Sequence, residues 1–338
     1  MLVQIAWRNI WRNKMRSFVV IGSVTLGIWA GIFILAFSWG LYQSNIRDSV
    51  YKQLSHIQIH HPSFIKEKDP EFSIASTGEV LDSLHADKRI LAASSRVISA
   101  GMISSPTTAS GVKILGVDPS SEAKQTGLNE NVIDGNYFDS GEDNEILIGQ
   151  KLAKKLKVKL RSKVIVTFAN IDSEMISAAF RVGGIYKSKN TSLDEENVYV
   201  LKDHLRELLE LKPTESNEIA ILLKNEEDLT YVKNYVSGLV PNKKVEDWKE
   251  LSPELGLVIE SFNLYTYLIS GIILLALIFG IINTMLMSIL ERVRELGMIM
   301  AIGLNKRKLF SMILLETLFL TLIGCPIGLL IGWLSIEY

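Results

Sequence analysis

The sequence predicts an α-helical membrane protein with a mixed α+β extracytoplasmic domain, and three observations support this fold class. Apolar residues are concentrated in three long stretches, strand and helix patterns alternate between the first two, and helical patterns extend beyond two of them. Of the 338 residues 48% are hydrophobic, and the net charge is −1. This composition excludes a disordered chain and a nucleic-acid-binding protein.

The three apolar stretches are predicted to be transmembrane helices at residues 18–40, 264–290 and 309–335. Each reaches the roughly 20 residues that are needed to cross ~30 Å of hydrocarbon. The first follows a basic segment, as the apolar part of a signal peptide does. It is too long for that role, and no small-residue cleavage site follows it.

Basic residues at the ends of these stretches predict the orientation of the chain, because cytoplasmic segments are enriched in Lys and Arg. Residues 1–17 contain four basic residues and no acidic one, and the loop 291–308 contains five basic residues. We therefore place both in the cytoplasm and residues 41–263 outside. Residues 1–17 form either an interfacial helix, with Trp7 and Trp11 at the head groups, or a plain basic anchor.

Two of the predicted helices exceed the thickness of the bilayer. The helical pattern continues from the first span through residues 41–55, and the second span is preceded by a helical pattern at 251–263. A helix from Ser252 to the end of the second span is roughly 58 Å long at 1.5 Å per residue. We expect both extensions to stand above the membrane as stalks, the alternative being a kink near Gly256 or Asn263.

Residues 56–250 are predicted to form a mixed α+β domain. Strand patterns lie at 56–60, 113–117, 144–148, 163–168, 197–200 and 218–223, and helix patterns lie at 78–86, 149–156, 202–211 and 226–239. The last strand, the last helix and a strand at 243–248 form a β-α-β unit, with a counterpart in the first strand and first helix. We interpret about 118–200, which is rich in strands and turns, as an inserted subdomain.

The extracytoplasmic region lacks a pattern typical of an enzyme or of a metal site. In a strand, His56 and His60 lie about 13 Å apart at ~3.3 Å per residue, too far for one ion, so we expect these histidines to face solvent. The sequence contains no nucleophile elbow and no phosphate-binding P-loop. Its single cysteine, Cys325, excludes a disulfide framework within the chain.

The loop between the second and third spans is predicted to be a short helix on the inner membrane surface. Charges at helical spacing are expected to pair, Glu291 with Arg294 and Arg292 with Glu295. One apolar stripe contains Val293, Leu296, Met300 and Leu304. Gly303 is expected to end this helix and Asn305 to cap the next. The second half is apolar on nearly every side, which favours a covering partner, although an ordinary re-entry loop held by lipid explains its length and charge equally well.

Small and polar residues within the spans form the remaining candidate sites. Glycines at four-residue spacing, which allow close helix contact within a bundle or a dimer, are Gly27 and Gly31 in the first span and Gly324, Gly328 and Gly332 in the third. The intramembrane polar candidates are Glu316 and Asn283. Glu316 either serves packing or gating, or reaches the inner interface or a neighbouring hydroxyl.

Several of these segments resemble the permease subunits of the MacB, FtsX and Lol group of ABC transporters. The resemblance rests on AWRNIWRNKMRS (6–17), GVDP (116–119), EILIGQKLAKKL (145–156), FRVGGIYKS (180–188), LDEENVYV (193–200) and INTMLMSILERVRELGMIMAIGLNKRKLF (282–310). The last of these is the most specific to the group. The resemblance implies a MacB-like permease with long stalk helices, whose outer core domain carries an inserted subdomain. In such permeases a fourth span follows the third, and we expect it to be absent from this sequence.

The resemblance also implies the partners and the docking residues. In this family the helix between the second and third spans couples to a separate cytoplasmic ATPase, and the residues that would do so here are Glu291, Arg292, Arg294, Glu295, Leu296, Gly297, Met300, Ala301 and Gly303. ATP and Mg²⁺ would bind to that ATPase, with no cofactor on this chain and no catalytic residue. A second permease subunit, identical or not, and membrane lipid complete the implied assembly.

The implied function is ATP-driven mechanical transmission in the bacterial inner membrane, with the large domain in the periplasm. The sequence is most similar to the branch that releases lipoproteins, which implies a lipoprotein substrate and a periplasmic carrier. Alternatives are MacB-type export of peptides or small amphiphiles and FtsX-type regulation of cell-wall hydrolases. A membrane-anchored sensor is an alternative from another class, but it would not need an apolar coupling helix.

Overall fold

The computed structural model describes residues 2–12, 14–139, 141–188, 193–301 and 305–337. The chain divides into two compact units, which we describe separately. One unit is helical and consists of Met1–Ser44 and Leu257–Tyr338, and the other is Asn45–Gly256. Two helices begin in one unit and end in the other.

Long helices dominate the helical unit. The helices are α1 (Leu2–Arg12), α2 (Lys14–Ser49), α11 (Pro253–Glu291), α12 (Val293–Ala301) and α13 (Lys306–Glu337). Among the described residues, three helical segments are long and apolar enough to cross a membrane, judged by length and composition: Ser17–Lys52, Leu264–Glu291 and Lys306–Glu337. Each contains one of the predicted spans. The continuous helix α11 has no break at Gly256 or Asn263, whereas the role of its outer part as a stalk stays a prediction.

Glycines bring α2 into close contact with both of its long neighbours. A Cβ atom on Gly27 or Gly31 would lie 3.1 Å from Leu277 or Ile273 of α11. On α13, Gly324, Gly328 and Gly332 pack in the same way against Val24, Ile28 and Ile32 of α2. The hydroxyl of Thr25 also donates to the Gly324 carbonyl oxygen at 3.2 Å. Both glycine rows therefore have partners within this chain, as small-residue packing between apolar helices requires.

The other unit contains a ten-stranded sheet with short helices. Its strands are β1 (Ile57–His60), β2 (Ile90–Ser104), β3 (Ala109–Val117), β4 (Val132–Gly135), β5 (Glu145–Gly149), β6 (Lys163–Ala169), β7 (Met175–Tyr186), β8 (Asn197–Leu201), β9 (Glu218–Leu223) and β10 (Lys244–Asp247). Its helices are α3 (Phe64–Glu67), α4 (Thr77–His85), α5 (Pro119–Thr126), α6 (Gln150–Leu156), α7 (Leu193–Glu196), α8 (Lys202–Leu208), α9 (Leu229–Leu239) and α10 (Trp248–Leu251). A π-helical turn at Val50–Leu54 and 3₁₀ turns at Leu128–Asn131 and Glu226–Asp228 complete the unit.

The first and last strands of this unit form two interlocked β-α-β units. β1 pairs antiparallel with both β10 and β9, and β9 pairs antiparallel with the first half of β2. The order β10-β1-β9-β2 therefore places β1 between the two strands that α9 connects, and β9 between the two that α4 connects. The predicted pair of β-α-β units is present, in the split arrangement of ferredoxin-like folds.

The second half of β2 continues into a closed six-stranded barrel. Going round it, β2 pairs with β3, β3 with β8, β8 with β5, β5 with β7, β7 with β6, and β6 again with β2. Apolar side chains, including Phe168 and Phe180, fill the interior. Gly101 lies where β2 meets β6, and a Cβ atom there would be 2.5 Å from the Thr167 carbonyl oxygen. Closure leaves the barrel strands without exposed edges. The boundaries of the predicted insert, about 118–200, stay a prediction.

A buried charge network joins four elements of this unit. Arg96 on β2 donates through Nε and Nη2 to the Glu122 carboxylate on α5, at 2.9 and 2.8 Å, and through Nη1 to Glu218 on β9 at 2.7 Å. His60 on β1 lies directly across from Glu218, with Nε2 3.1 Å from its second oxygen. Burial opposes ionisation of Glu218, but the hydrogen bond with His60 and the charge of Arg96 hold the pKa of Glu218 well below its ordinary value.

The expectation that the histidines face solvent is wrong for two of them. His56 and His60 are 1% and 3% exposed. His56 accepts a hydrogen bond from the Leu223 amide at its Nδ1, and burial lowers the pKa of His56 to about 4. Both faces of β1 are buried. The alternation of histidine with isoleucine therefore does not distinguish a solvent-exposed face from a buried one.

Candidate functional site

Among the side chains of α12 that the structure describes, one is buried and holds the helix against the other helices of its unit. Leu296 is 7% exposed and packs on Met312 of α13, with Ile289, Leu309 and Phe319 around the pair. The backbone amide of Leu296 donates to the Arg292 carbonyl oxygen at 2.9 Å, so the helix begins at the turn that ends α11. Leu296, one of the predicted coupling residues, therefore holds α12 in place.

A chain of ion pairs links α12 to two other helices. Arg292 donates through Nε to Glu295 at 3.1 Å, and its Nη1 lies 3.8 Å from the buried carboxylate of Glu316 on α13. Arg12, near the end of α1, donates to the same Glu295 oxygen at 2.5 Å. Hydrogen bonds from Arg292 and then from Arg12 lower the pKa of Glu295 below its ordinary value. These pairs bring charged groups of α1 and α13 to α12, and the exposed ones contribute little to stability.

Helix α1 packs beside α13 and completes the support of this region. Trp7 contacts Phe319 edge-on, with ring centroids 5.6 Å apart. Ile10 is buried in a cluster with Val20 and Leu320. The hydroxyl of Ser17, near the start of α2, donates to the Ile10 carbonyl oxygen of α1 at 2.6 Å. The basic N-terminal segment thus has a defined place next to α12.

Most of the remaining predicted coupling residues are exposed, Glu291 at the end of α11 and the others on α12. Glu291, Arg294, Glu295, Met300 and Ala301 are exposed, Gly297 is half-buried, and Gly303 lies outside the described residues. Val293 and Met298 are also exposed, at 54% and 64%. Helix α12 thus has a face fixed to its own unit through Leu296 and an exposed face that combines apolar and charged side chains.

The structure changes two expectations about the charged and polar residues. Arg292 pairs with Glu295 as predicted, but within the described residues Glu291 and Arg294 form no ion pair with each other, because the turn at Arg292 separates the helices that carry them. Glu316 lies beside Arg292, a partner that the sequence indicated only weakly. Asn283 is exposed on α11, and Asn305 accepts a hydrogen bond from the Arg307 amide at 3.3 Å, as a helix cap does.

Sequence reasoning missed the long-range partners in this region. Arg12 and Glu295 are 283 positions apart, and neither residue carries a local signal of the contact. A weak signal existed for Glu316, since a carboxylate in an apolar helix needs a partner and the nearest cations lie in the preceding loop. Among the described residues no group of three or more His, Cys, Asp or Glu side chains is arranged to hold a metal ion.

The fold and the α12 region define a class of membrane protein, and comparison with known families identifies it. Residues 17–239 match the MacB-like periplasmic core domain, and residues 267–338 match the C-terminal part of FtsX-like permeases. The chain belongs to this family: it is an ABC transporter permease of the MacB, FtsX and LolC type. Such a permease is a membrane protein with an extracytoplasmic domain, and it implies a cytoplasmic ATPase partner.

Several curated relatives align over nearly the whole chain. The uncharacterized ABC transporter permease YknZ of Bacillus subtilis is 22% identical and covers 98% of this chain and 85% of its own length. The lipoprotein-releasing system transmembrane protein LolC of Neisseria meningitidis serogroup B is 23% identical. Its alignment covers 95% of this chain and 79% of LolC. The macrolide export ATP-binding/permease protein MacB of N. meningitidis serogroup A is 24% identical, and the chain spans 50% of its length.

Two solved structures resemble the chain at a low level. The extracellular domain of YknZ from Gram-positive bacteria has a TM-score of 0.40 and 14% identity, with 57% of this chain and 99% of that domain covered. The periplasmic region of MacB from Actinobacillus actinomycetemcomitans has a TM-score of 0.45 and 13% identity. The match covers 65% of this chain and 97% of that region.

Proposed function

We propose that this chain transmits ATP-driven motion from a separate cytoplasmic ATPase to its extracytoplasmic domain, for the release of lipoproteins from the inner membrane. The chain does not hydrolyse ATP in this proposal. ATP and Mg²⁺ bind to the ATPase, and two permease subunits, identical or not, form the membrane part. Membrane lipid surrounds the assembly, and a periplasmic carrier receives the lipoprotein.

The observation that carries the proposal is the two-sided character of α12. One side packs on α13 through the buried Leu296, and on the same helix Glu295 pairs with Arg12 of α1. The other side exposes Val293, Met298 and Met300 between charged residues. A rigid helix with exposed apolar side chains fits a groove on a partner protein better than it fits water.

Transmission follows from the continuity of α11. This helix runs without a break from Pro253 to Glu291, and a single residue, Arg292, separates it from α12. A displacement of α12 would therefore act directly on the end of a helix that is roughly 58 Å long at 1.5 Å per residue. In our proposal, ATP binding moves the paired coupling helices, and the outer parts of α2 and α11 act as stalks that move the extracytoplasmic domains.

The identity of the substrate is the most specific part of the proposal. The LolC relative supports lipoprotein release, whereas the MacB relative supports the alternative of exporting small amphiphiles. The two functions differ in the released molecule. Reconstitution with the ATPase and either a labelled lipoprotein or a labelled small amphiphile distinguishes them, and release of the amphiphile alone contradicts the lipoprotein proposal.

We expect Met298→Glu to weaken association with the ATPase while leaving membrane insertion intact. The introduced carboxylate would have to be buried in the docking groove without a partner. Affinity should fall roughly thirtyfold, the effect of losing a hot spot of about 2 kcal/mol. The measurement is the amount of ATPase that co-purifies with the full chain.

The matched control for this experiment is Met175→Glu. Met175 lies on β7, and its exposure of 70% is close to the 64% of Met298. This variant should retain the ATPase at the wild-type level. Equal retention by both variants would mean that α12 is not the docking surface.

The proposed orientation, with a cytoplasmic N-terminus, is tested by cysteine labelling in a Cys325→Ser background. Asp172→Cys, in the turn between β6 and β7, should react with a membrane-impermeant maleimide added to spheroplasts. Asn305→Cys should react only after the membrane is opened, because basic flanks keep this loop inside. The reverse pattern would overturn the orientation and, with it, the position of the ATPase.

A further inference from the structure

A cavity of about 660 Å³ lies in the α+β unit and has no part in the proposed coupling site. It lies among β1, β2, β3, β9 and the helices α3 and α5. Its volume is within the roughly 300–1,000 Å³ that is typical of small-molecule sites. Its lining residues differ sharply in character from one side to another.

Part of the lining is the buried charge network. Arg96 is already neutralised by Glu122 and Glu218, so it is not available to a ligand as a free cation. His60, which also lines the cavity, is 3% exposed and uses Nε2 for its contact with Glu218. Its Nδ1 is buried and has no hydrogen-bond partner among the described residues. A buried ring nitrogen without a partner is costly.

A second part of the lining is cationic. Lys52, Lys68 and Lys113 lie on three different segments of the chain around the cavity. In the described part of the chain none of them has a carboxylate within ion-pairing distance. Outside the buried network, Glu196 is the one acidic lining residue among those described, so the lysines outnumber it. This side of the cavity favours an anionic group.

A third part of the lining is apolar. Phe64, Ile98 and Leu115 belong to one packed cluster and also line the cavity. The ring of Phe64 stacks on the ring of His60, with centroids 5.6 Å apart. An aliphatic chain in the cavity would therefore contact apolar side chains close to the unpartnered imidazole nitrogen.

We propose that this cavity binds a single-chain amphiphile with a carboxylate head group. The head group would contact Lys68 and Lys113, and the aliphatic tail would lie along Phe64, Ile98 and Leu115. The cationic and the apolar parts of the lining thus each have a matching part in the ligand. The site is independent of the coupling proposal, because binding needs no ATPase.

The test measures access to the cavity itself. Ala100 lines the cavity and is exposed, so Ala100→Cys in a Cys325→Ser background places a reporter there in the full chain, held in nanodiscs. Octanoate at about ten times its Kd should slow maleimide labelling of the introduced cysteine roughly tenfold, since only the unoccupied fraction reacts. Octyltrimethylammonium, which has the same tail and the opposite charge, and butyrate, which has the same head and a short tail, should each slow it less than about twofold.

Matched variants show whether the protection comes from this site. Adding Lys113→Gln should raise the octanoate concentration for half-protection about fivefold to tenfold, whereas adding Lys151→Gln, an exposed lysine on α6, should leave it unchanged. A reporter made by Ile165→Cys, exposed on β6, should not be protected. Absence of protection, equal protection by octyltrimethylammonium, or an unchanged response in Lys113→Gln would overturn the proposal.

Discussion

Replacing Arg96 by methionine should destabilise the extracytoplasmic domain by about 3–5 kcal/mol, the range observed when one partner of a buried ion pair is removed. Methionine fills a similar volume, so the loss comes mainly from Glu122 and Glu218, which would stay buried without their cation. A domain is commonly stable by about 5–15 kcal/mol, so this is a large fraction. Thermal unfolding of the full purified chain, followed by intrinsic fluorescence, measures the change.

The pH dependence gives this prediction a clear sign. The pKa of Glu218 is lowered in the folded protein, so its contribution to stability is present above its ordinary pKa of 4.5 and is lost as the pH falls below it. Without Arg96 the Glu218 carboxylate would take up a proton more readily. The difference in stability between Arg96→Met and wild type should therefore be smaller at pH 5 than at pH 8.

Two further variants separate charge from packing. Arg89→Met removes an arginine that pairs with Asp87 and is 36% exposed, and it should cost at most about 1 kcal/mol. Combining Arg96→Met with Glu122→Gln and Glu218→Gln should recover part of the lost stability, because the unpaired charges are gone. If Arg96→Met were no more harmful than Arg89→Met, the network would not stabilise the domain.

Leu257→Pro should uncouple ATP hydrolysis from release of the substrate. Leu257 is exposed in the first turns of α11, so few packing contacts are lost with its side chain. Proline removes one helical hydrogen bond and clashes with the preceding turn, at a local cost of ~3 kcal/mol. We expect the variant to insert in the membrane, bind its ATPase and hydrolyse ATP, while release falls to the level seen without ATP.

The control for the uncoupling experiment is Leu257→Ala. Alanine removes the same side chain but favours the helix, so release should stay close to that of wild type. Both activities are measured side by side in reconstituted membranes. Normal release by Leu257→Pro would mean that α11 does not transmit motion, and the mechanical part of the proposal would then be wrong.

Local patterns in the sequence were sufficient to predict many of the helices and strands. An uninterrupted apolar stretch can satisfy its backbone only as a helix, and the three candidate spans follow from that requirement. Short runs such as EIAILL and KVIVTF predicted β9 and β6, because β-branched residues and valine-rich alternation are typical of strands. The same kind of signal failed for β2, whose sequence ILAASSRVISAGMIS places serines and an arginine at buried positions.

What the sequence determined by itself is thus the set of apolar helices, most strands and the existence of a short helix between α11 and α13. Only the tertiary structure decided which side chains meet: Arg96 with Glu122 and Glu218, Arg12 with Glu295, and Glu316 with Arg292. The reason is physical. Helix and strand periodicity depend on neighbours within a few residues, whereas a buried charge is tolerated only when distant segments bring its partner to it.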